Sequence, residues 1–533
     1  MPAAKAVYAL LVCSDDLYSR FAAILYRHTL YPKFVNPLFK IRPKRTIAII
    51  LPLHKLTRSL ILCCLLWPLS SSLTANEIQL PVLGDASSGM ISKSQEYELG
   101  RIWLKIFRSR VRAYDDPLIQ IYLEQLLYNL ATYSDLEDPR LELVIVKNPT
   151  MNAFAVPGGV VGFHTGVFAF AENEDQMASV LAHELAHLSQ RHFSRGTEAQ
   201  KKNSMISMAG LLATVVLAAT AGGDAASAAM ITSQALSMDS QLRYSRSNEQ
   251  EADRVGLSTM ERANRDPGAV ADMFATLLKG TRYTGSRPPE FLLTHPITEK
   301  RIGDARNRSM GTSMRQYAQN PEFYLMRARA LVAMDQTTTL SINRFKAELE
   351  ANTLKANAAN YGLALAYLKD NQLQKARQQM RQLLAGQPTN LIFLYTDIEI
   401  DIAAKKYSTA LNRLNRQLVV NQNNYPLMVL KSEALWQARN YDGADTVLTA
   451  LSRMRGQDPM VWYRLAEVRG LAGNISGLHQ ARAEYFILIG VFDKAREQLS
   501  LAARMVKEDF KESAIIRQRL RDLAAMEDRA ERL

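Results

Sequence analysis

The segment His183-Glu184-Leu185-Ala186-His187 places two imidazoles four residues apart, with a carboxylate beside the first of them. On an α-helix this spacing projects both histidines from one face, where both can bind one metal ion. Glu184 lies about 100° further round the helix and can address a water molecule on that ion. The pattern predicts a zinc hydrolase site, and the alternative is a chance match in a surface helix.

The residues before this motif carry the signals of a helix start. Asn173 can cap the helix, Gln176 follows three residues later, and Glu174 and Asp175 occupy the first turn. An apolar stripe with helical spacing comes next, made of Met177, Leu181, Leu185 and Leu188. The motif is therefore expected to lie on a helix, as its chemistry requires.

Two further histidines are interpreted as non-ligands. Some zinc peptidases carry a third histidine ligand six residues after the second one, but Phe193 occupies that position here. His192 is therefore expected to be a polar residue at the helix end. His164 lies in an apolar, strand-like run, and we interpret it as structural.

A third ligand is expected because a catalytic zinc usually takes three protein ligands and keeps one position for water. The best candidates lie in an acidic segment downstream, at Glu249, Glu251 and Asp253. On a helix Glu249 and Asp253 share one face, while Glu251 points nearly the other way. Glu249 fits a ligating carboxylate, and Asp253 fits a partner of a ligating histidine or of the reacting oxyanion. Taken alone, the same residues fit an ordinary solvated acidic face.

Together these motifs resemble the zinc metallopeptidase family that contains HtpX and the CaaX prenyl proteases. The shared pattern is HExxH, here HELAH, followed about sixty residues later by ExxxD within NEQEADRVG. Residues 152–154 and 157–159 before the helix, and residues 292–296 after it, agree with the family. The resemblance covers about residues 85–530, with specific motifs in the first half and generic ones in the tail.

The resemblance implies a role for each motif residue. The implied ligands of one Zn²⁺ per chain are His183, His187 and Glu249, with Glu184 as general base and Asp253 as an assisting acid. His295 matches a histidine that in such relatives approaches the metal and restrains activity. From its position before a proline alone, His295 is equally well a loop histidine.

A small sheet is predicted beside the zinc helix. Residues 141–146 form a strand-like run, and residues 156–161 are typical of a strand, a tight turn and a second strand. An extended peptide could add to the edge of such a sheet as another strand. The protein's own loop covers such an edge equally often.

Past about residue 311 the chain changes to amphipathic helices without strand signals. Ala376, Ala410 and Ala444 recur at intervals of 34 residues, the period of tetratricopeptide repeats. Units around Trp462 and Ala495 are less regular, and a last helix from about residue 507 is expected to cap the array. Such an array forms a concave surface that binds proteins, and a rigid annex packed on the peptidase is the other interpretation.

The predicted fold class is an α+β zincin-like metallopeptidase domain, mostly helical with a small sheet, followed by an all-α tetratricopeptide-repeat superhelix. A length of 533 residues allows two or three domains. We predict a leader over residues 1–75, the zinc metallopeptidase domain over 76–312 and the tetratricopeptide-repeat domain over 313–533.

The first 75 residues have the pattern of an export signal. Basic residues lie within 42–58, an apolar run follows over 60–69, and small residues lead to a predicted cleavage after Ala75. A retained membrane anchor is disfavoured because ten apolar residues fall short of the roughly 20 needed to span a bilayer. All three cysteines lie in this leader, at Cys13, Cys63 and Cys64. We expect a periplasmic protein without disulfides, soluble or peripherally associated with a membrane.

An apolar insertion over residues 204–237 separates the two metal motifs and is rich in alanine, leucine and glycine. Buried helices next to the site or a mobile flap over it are favoured over a membrane hairpin, because its two arms are short. Contact of an exposed apolar patch with a membrane protein is a third interpretation.

The formal net charge of +13 does not indicate a nucleic-acid partner. Ten Lys and Arg against two Asp lie before residue 76, which leaves about +5 for the rest of the chain. Nothing in the sequence resembles a nucleic-acid-binding module.

The resemblance, the leader and the repeats together predict a zinc endopeptidase of the periplasm that degrades misfolded or stalled exported and outer-membrane proteins. The repeats would dock the outer-membrane assembly machinery or its clients, and a chaperone-like role is compatible with them. One alternative is a binding scaffold or chaperone with a mostly silent peptidase site. Another is a membrane-embedded protease that uses residues 204–237 as its span.

Overall fold

The computed structural model describes residues 91–111, 113–199, 238–283, 290–311, 315–352 and 356–531. The predicted leader over residues 1–75 and the apolar insertion over residues 204–237 lie outside these ranges. Within them, no helix has both the length and the apolar character needed to cross a membrane.

The described part of the chain begins with two helices and a small sheet. Their bounds are α1 Lys93–Arg110, α2 Pro117–Thr132, β1 Glu142–Val146, β2 Ala153–Val156 and β3 Val160–His164. The side chain of Ser92 caps α1 in a capping box with Gln95, and that of Asp116 caps α2. Both helices therefore start at residues whose side chains satisfy otherwise unpaired backbone N–H groups.

The three strands form one sheet in the order β1-β3-β2. Strand β1 pairs with β3 in parallel, and β2 pairs with β3 in antiparallel register through the turn that joins them. Gly158 and Gly159 in that turn have φ values of +80° and +78°, which side chains with a Cβ rarely adopt. The predicted small sheet is confirmed, and β2 lies at one of its edges.

Seven helices complete the half of the chain that carries the metal motifs, counted over the described residues. They are α3 Val167–Phe170, α4 Glu174–Ser189, α5 His192–Ala199, α6 Met238–Arg262, α7 Gly268–Tyr283, α8 Glu290–Thr294 and α9 Glu299–Ser309. The HExxH helix α4 is central, with α2, α6, α7 and β2 packed around it. A Cβ at Gly256 of α6 would lie 3.2 Å from backbone atoms of Ala182 and His183. Glycine at that position therefore lets α6 approach α4 closely.

The tail is a series of helical hairpins. Its helices are α10 Pro321–Met334, α11 Thr338–Ala351, α12 Ala356–Lys369, α13 Leu373–Gly386, α14 Leu391–Ala403, α15 Tyr407–Val420, α16 Tyr425–Gln437, α17 Tyr441–Met454, α18 Pro459–Leu471, α19 Ile475–Leu488, α20 Phe492–Met505 and α21 Phe510–Glu531. Ala376, Ala410 and Ala444 are fully buried in the second helix of successive hairpins, where a small side chain lets the helices touch. The predicted all-α repeat fold is confirmed, including a final helix.

The first hairpins share a hydrophobic core with the metal-motif half. One cluster of buried side chains runs from α2, the sheet and α4 into α10, α12 and α14. Within it the ring of Phe168 stacks on that of Phe323 at a centroid distance of 6.3 Å. Arg329 of α10 is buried between Asp116 and Glu399, at 2.5 and 2.7 Å. These contacts fit the interpretation of a rigid annex, and the division at residue 312 stays a prediction.

Candidate metal centre

The HExxH helix starts inside the protein rather than at its surface. The side chain of Asn173 accepts the N–H of Gln176 at 2.9 Å, as expected for its N-cap. Glu174 and Asp175 in the first turn are buried and accept hydrogen bonds from Arg265 at 2.8 and 3.1 Å. This anchored start fixes the rotation of α4 and hence the direction of its two motif histidines.

The three predicted ligands meet at one point between α4 and α6. The Nε2 atoms of His183 and His187 lie 3.0 Å apart. Each of them lies 3.3 Å from one carboxylate oxygen of Glu249. Residues separated by about sixty positions in the chain are thus brought together with their lone-pair atoms facing one another.

His295 adds a fourth donor atom to this cluster. It directly follows α8, and its ring stacks on Phe291 at a centroid distance of 4.6 Å. Its Nδ1 lies 3.1 Å from both carboxylate oxygens of Glu249 and 3.3 Å from Nε2 of His183. One donor atom from each of the four residues lies within 4.8 Å of the others. His295 is therefore placed beside the predicted ligands and not in an exposed loop.

Glu184 lies against the edge strand of the sheet. Its side chain is 1% exposed, and one carboxylate oxygen lies 3.5 Å from Nε2 of His295. Burial raises the pKa of Glu184, while His295, His183 and a hydrogen bond from the backbone of Ala155 oppose that rise. A carboxyl group with a raised pKa next to a donor cluster is a stronger base than a free carboxylate and is a candidate for proton transfer.

A carboxylate and a guanidinium support His183 from behind. Asp253 places one oxygen 3.1 Å from Nδ1 of His183, the ring nitrogen that faces away from the donor cluster. Arg301 binds both oxygens of Asp253 at 2.6 and 2.7 Å and reaches Glu249 at 3.1 Å. The sequence patterns predicted that Asp253 contacts either a ligating histidine or the reacting oxyanion, and its contact with His183 fits the first alternative. They did not single out Arg301. The only sequence signal was an arginine six residues after His295, which a single sequence cannot distinguish from a surface charge.

An imidazole, and not a carboxylate, lies behind His187. The Nδ1 atom of His187 lies 2.9 Å from Nδ1 of His192, whose Nε2 lies 3.2 Å from Glu251. His192 begins α5 and is 5% exposed, so the prediction of a plain polar residue at a helix end missed its contact with His187. Glu251 points away from Glu249, as its position on the helix predicted, and meets His192 there.

His164 lies outside the donor cluster. It is buried at the end of β3, with Nδ1 3.2 Å from the hydroxyl of Thr150. Burial lowers its pKa to about 4, opposed by a backbone hydrogen bond at Thr150. A neutral, buried imidazole in the sheet fits the structural interpretation made from its apolar surroundings.

The two motif histidines differ in the charge state that their surroundings favour. Burial lowers the pKa of His187 to about 3, and Glu249 opposes this only in part. Burial also acts to lower the pKa of His183, but Asp253 and Glu249 outweigh it and raise that pKa to about 10. The difference follows from the contacts, because among the described residues His183 has a carboxylate at each ring nitrogen and His187 has one carboxylate. The carboxylates thus favour a positive charge on His183.

The donor set fits a transition-metal ion. It consists of imidazole nitrogens and one carboxylate, whereas magnesium and calcium prefer sites made of oxygen ligands. Two histidines with a glutamate are a known ligand set of catalytic zinc, and each histidine has a hydrogen-bonding partner behind it.

Comparisons with known proteins agree with this site. Residues 117–309 match peptidase family M48. The β-barrel assembly-enhancing protease of Escherichia coli K12 is 31% identical over 452 residues, which cover 84% of this chain and 92% of that protein. The mitochondrial metalloendopeptidase OMA1 of Schizosaccharomyces pombe is 32% identical over 182 residues, which cover 34% of this chain and 50% of that protein.

Among solved structures, a tetratricopeptide repeat protein from Parabacteroides merdae matches 52% of this chain and 99% of that chain, at 14% identity and a TM-score of 0.23. A likeness this distant adds nothing to the helical hairpins seen in the tail itself. The E. coli relative, in contrast, is matched over nearly its whole length, so the predicted family resemblance is confirmed. The chain belongs to peptidase family M48 and is a metalloendopeptidase related to the β-barrel assembly-enhancing proteases.

Proposed function

We propose that this protein is a zinc endopeptidase of the periplasm that cleaves misfolded or stalled outer-membrane proteins. The observation that carries the proposal is the convergence of three imidazoles and Glu249 beside the buried carboxyl group of Glu184. The relatives over most of the chain are named for β-barrel assembly, which supports outer-membrane proteins as the substrate class. The same names and the export-type leader support the periplasm as its location.

For the metal we propose His183, His187 and Glu249 as the ligands of one zinc ion. When bound, zinc supplies Lewis acidity toward the scissile carbonyl and makes water a better nucleophile at neutral pH. Glu184, which lies 3.5 Å from His295 of the donor cluster, is our candidate to take the proton of the attacking water and to pass it to the leaving amine. For Asp253 we propose assistance from behind His183, because it binds Arg301 and the ring nitrogen turned away from the cluster.

The edge strand β2 is our proposed site for the substrate backbone. Strand β2 lies at the edge of the sheet, and its Ala155 is hydrogen-bonded to the general-base candidate Glu184. An extended polypeptide added to this edge would run past the ligands with its amides next to Glu184. Unfolded or incompletely folded chains supply such extended segments, which fits a role in protein quality control.

His295 is our candidate for a residue that restrains the resting enzyme. Its ring lies between Glu249 and Glu184, the space that a substrate carbonyl and an attacking water would use. A permanent restraint would leave a scaffold or chaperone with a mostly silent site, which is the second candidate function. The repeat hairpins support either form, because such arrays bind proteins; we propose the assembly machinery or its clients as partners.

The test is cleavage of an unfolded outer-membrane β-barrel protein by the purified full-length enzyme, with its zinc content measured in parallel. Glu184→Gln should abolish cleavage and keep one zinc per chain, because only the base is lost. Glu172→Gln, an exposed change just before the same helix, is the matched control. His295→Ala should raise the rate. A wild-type cleavage rate in Glu184→Gln would contradict the proposal. If His295→Ala cleaves nothing but still binds unfolded clients, the scaffold function would be favoured.

A further inference from the structure

A chain of hydrogen-bonding groups runs outward from His187 to the surface of α6. Nδ1 of His187 lies 2.9 Å from Nδ1 of His192, and Nε2 of His192 lies 3.2 Å from Glu251. Arg195, one turn further along α5, lies 3.1 and 3.2 Å from the two oxygens of Glu251. We name these contacts the His192–Glu251 relay.

The position of His192 is fixed by contacts on the other side of α5. Arg191 has a left-handed φ of 50°, which turns the chain sharply between α4 and α5. Its guanidinium donates to Glu96 of α1 at 3.0 Å and to the carbonyl of Ile91 at 2.7 Å. Ser194 also donates to Glu96. The first turn of α5 is therefore held between α1 and α6, which keeps the ring of His192 against His187.

With both imidazole rings neutral, only one placement of their protons satisfies the contacts of the relay. The contact between two Nδ1 atoms needs one proton, and the carboxylate of Glu251 can only accept. If His192 donated from Nδ1, its bare Nε2 would face the oxygens of Glu251 without a proton between them. His192 must therefore donate from Nε2 to Glu251 and accept at Nδ1 from His187. This leaves the lone pair of His187 on Nε2, the atom that faces Glu249.

We propose that His192 and Glu251 are positioning residues that select the Nδ1–H tautomer of His187 and aim its Nε2 at the metal. The inference rests on the proposed function, since it assigns a task toward the ion held by His183, His187 and Glu249. In this proposal His192 orients His187 as Asp253 orients His183. The partner of His187 is a neutral imidazole, whereas the partner of His183 is a carboxylate. Partners of this kind fix the tautomer and direction of metal-binding imidazoles.

Zinc affinity of the full-length protein, measured by competition with a chelating dye, tests the relay. His192→Phe keeps a ring of similar size but removes the acceptor, and should weaken zinc binding about 10- to 100-fold. His192→Asn places an amide oxygen where Nδ1 was, so it should recover most of that loss. Glu251→Gln changes a partly exposed side chain and keeps an oxygen that can accept a hydrogen bond, so it should give a smaller loss of the same sign.

Cobalt-substituted protein gives a second readout, because the visible absorption of Co²⁺ reports the geometry of its ligands. Its spectrum should change in His192→Phe and be close to wild type in His192→Asn. There are two matched controls, and neither should change the zinc affinity or the cobalt spectrum. Glu261→Gln changes an exposed side chain on α6, the helix of Glu251, and His479→Gln changes a hydrogen-bonded histidine in the repeats. Chemical unfolding of the metal-free variants checks that each is folded.

Two negative results have different meanings. Wild-type zinc affinity and cobalt spectra in both His192→Phe and Glu251→Gln would overturn the relay and leave the proposed function standing. A wild-type protein that takes up no zinc would overturn the proposed function and the relay with it. An equal loss in His192→Phe and His192→Asn would also contradict the relay, because restoring a hydrogen-bond acceptor at this position would then recover no zinc affinity.

Discussion

Helices α6 and α14 each carry a buried pair of carboxylates four residues apart. Glu249 and Asp253 lie on α6 at the metal centre, and Asp397 and Asp401 lie on α14 among the repeats. All four side chains belong to residues that are only 4–8% exposed, so neither spacing nor burial distinguishes the pairs. The difference must come from the elements that face them.

The repeat pair faces two arginines. Arg377 binds one oxygen of Asp397 and one of Asp401, each at 2.5 Å. Arg413 binds the two remaining oxygens at 2.6 and 2.7 Å. We call these four residues the Arg–Asp quartet. Two positive and two negative charges are matched in it, and every carboxylate oxygen accepts a hydrogen bond from a fixed donor.

The metal-centre pair faces imidazoles on one side and an arginine on the other. Arg301 is bound to Asp253 and Glu249, while Glu249 also meets His183, His187 and His295. An arginine offers only donors and keeps its proton, whereas an imidazole can turn a lone pair toward a cation. A buried carboxylate pair opposite arginines is therefore structural, and the same pair opposite histidines can bind a metal.

The largest expected contrast is in catalysis. His183→Ala should lower proteolysis by more than about 1,000-fold, as for residues that act as one catalytic unit, and should release the metal. Asp397→Asn should keep wild-type turnover per folded molecule, because the Arg–Asp quartet takes no part in the chemistry. Rates are compared at equal concentrations of folded protein, determined by circular dichroism. Similar losses in both variants would show that the quartet is coupled to the site.

The next contrast is in stability at the metal centre. Arg301→Met leaves Asp253 and Glu249 buried without their cation, and should lower the free energy of unfolding by about 3–5 kcal/mol. Arg301→Lys keeps the charge but loses the planar fork, so its loss should be smaller. Urea unfolding of the metal-free proteins measures both changes. A loss below about 1 kcal/mol for Arg301→Met would mean that water or another cation replaces the guanidinium.

Local sequence signals were enough for the central features of the site. The HExxH spacing, the cap at Asn173 and the apolar stripe predicted α4 because all three depend on neighbours within a few turns. The 34-residue period predicted the hairpins for the same reason, since each buried alanine repeats one local packing requirement. The ExxxD pair was different, because Asp397 and Asp401 are spaced in the same way. Helix geometry made Glu249 a candidate ligand, but an ordinary acidic face fitted it as well until the family resemblance was added.

Features set by tertiary packing were beyond the sequence. His192 and Arg301 were missed because their partners lie on other helices, and nothing beside them in the chain marks those contacts. The strand order β1-β3-β2 was equally hidden, since β1 pairs with the second strand of the hairpin and not with the nearer one. Gly256 is a further case, because a side chain there would crowd the backbone of α4 only once α6 has packed against that helix.

A smaller contrast in unfolding free energy is expected when the metal is removed. The proposed ligands join α4 to α6, so free zinc at about 100 times its dissociation constant should add about 2.7 kcal/mol to the free energy of unfolding. Wild type and Asp401→Asn should both lose this increment on chelation, because the Arg–Asp quartet holds no ion. His183→Ala should gain no stability from zinc, so chelation should leave its free energy of unfolding unchanged. Urea unfolding with and without chelator measures the increments, and a chelator-sensitive His183→Ala would point to metal bound elsewhere.

The smallest expected effect concerns the fork geometry of the Arg–Asp quartet. Arg413→Lys keeps the charge but replaces two directed hydrogen bonds, to Asp397 and Asp401, by a single ammonium. The loss of one charge-assisted hydrogen bond should cost about 1.5 kcal/mol of unfolding free energy, with turnover per folded molecule and zinc affinity unchanged. Arg416→Lys, an exposed change on the same helix, is the control. A change in zinc affinity without a change in stability would reverse the assignment, because it would make the quartet part of the metal centre and the two carboxylate pairs alike.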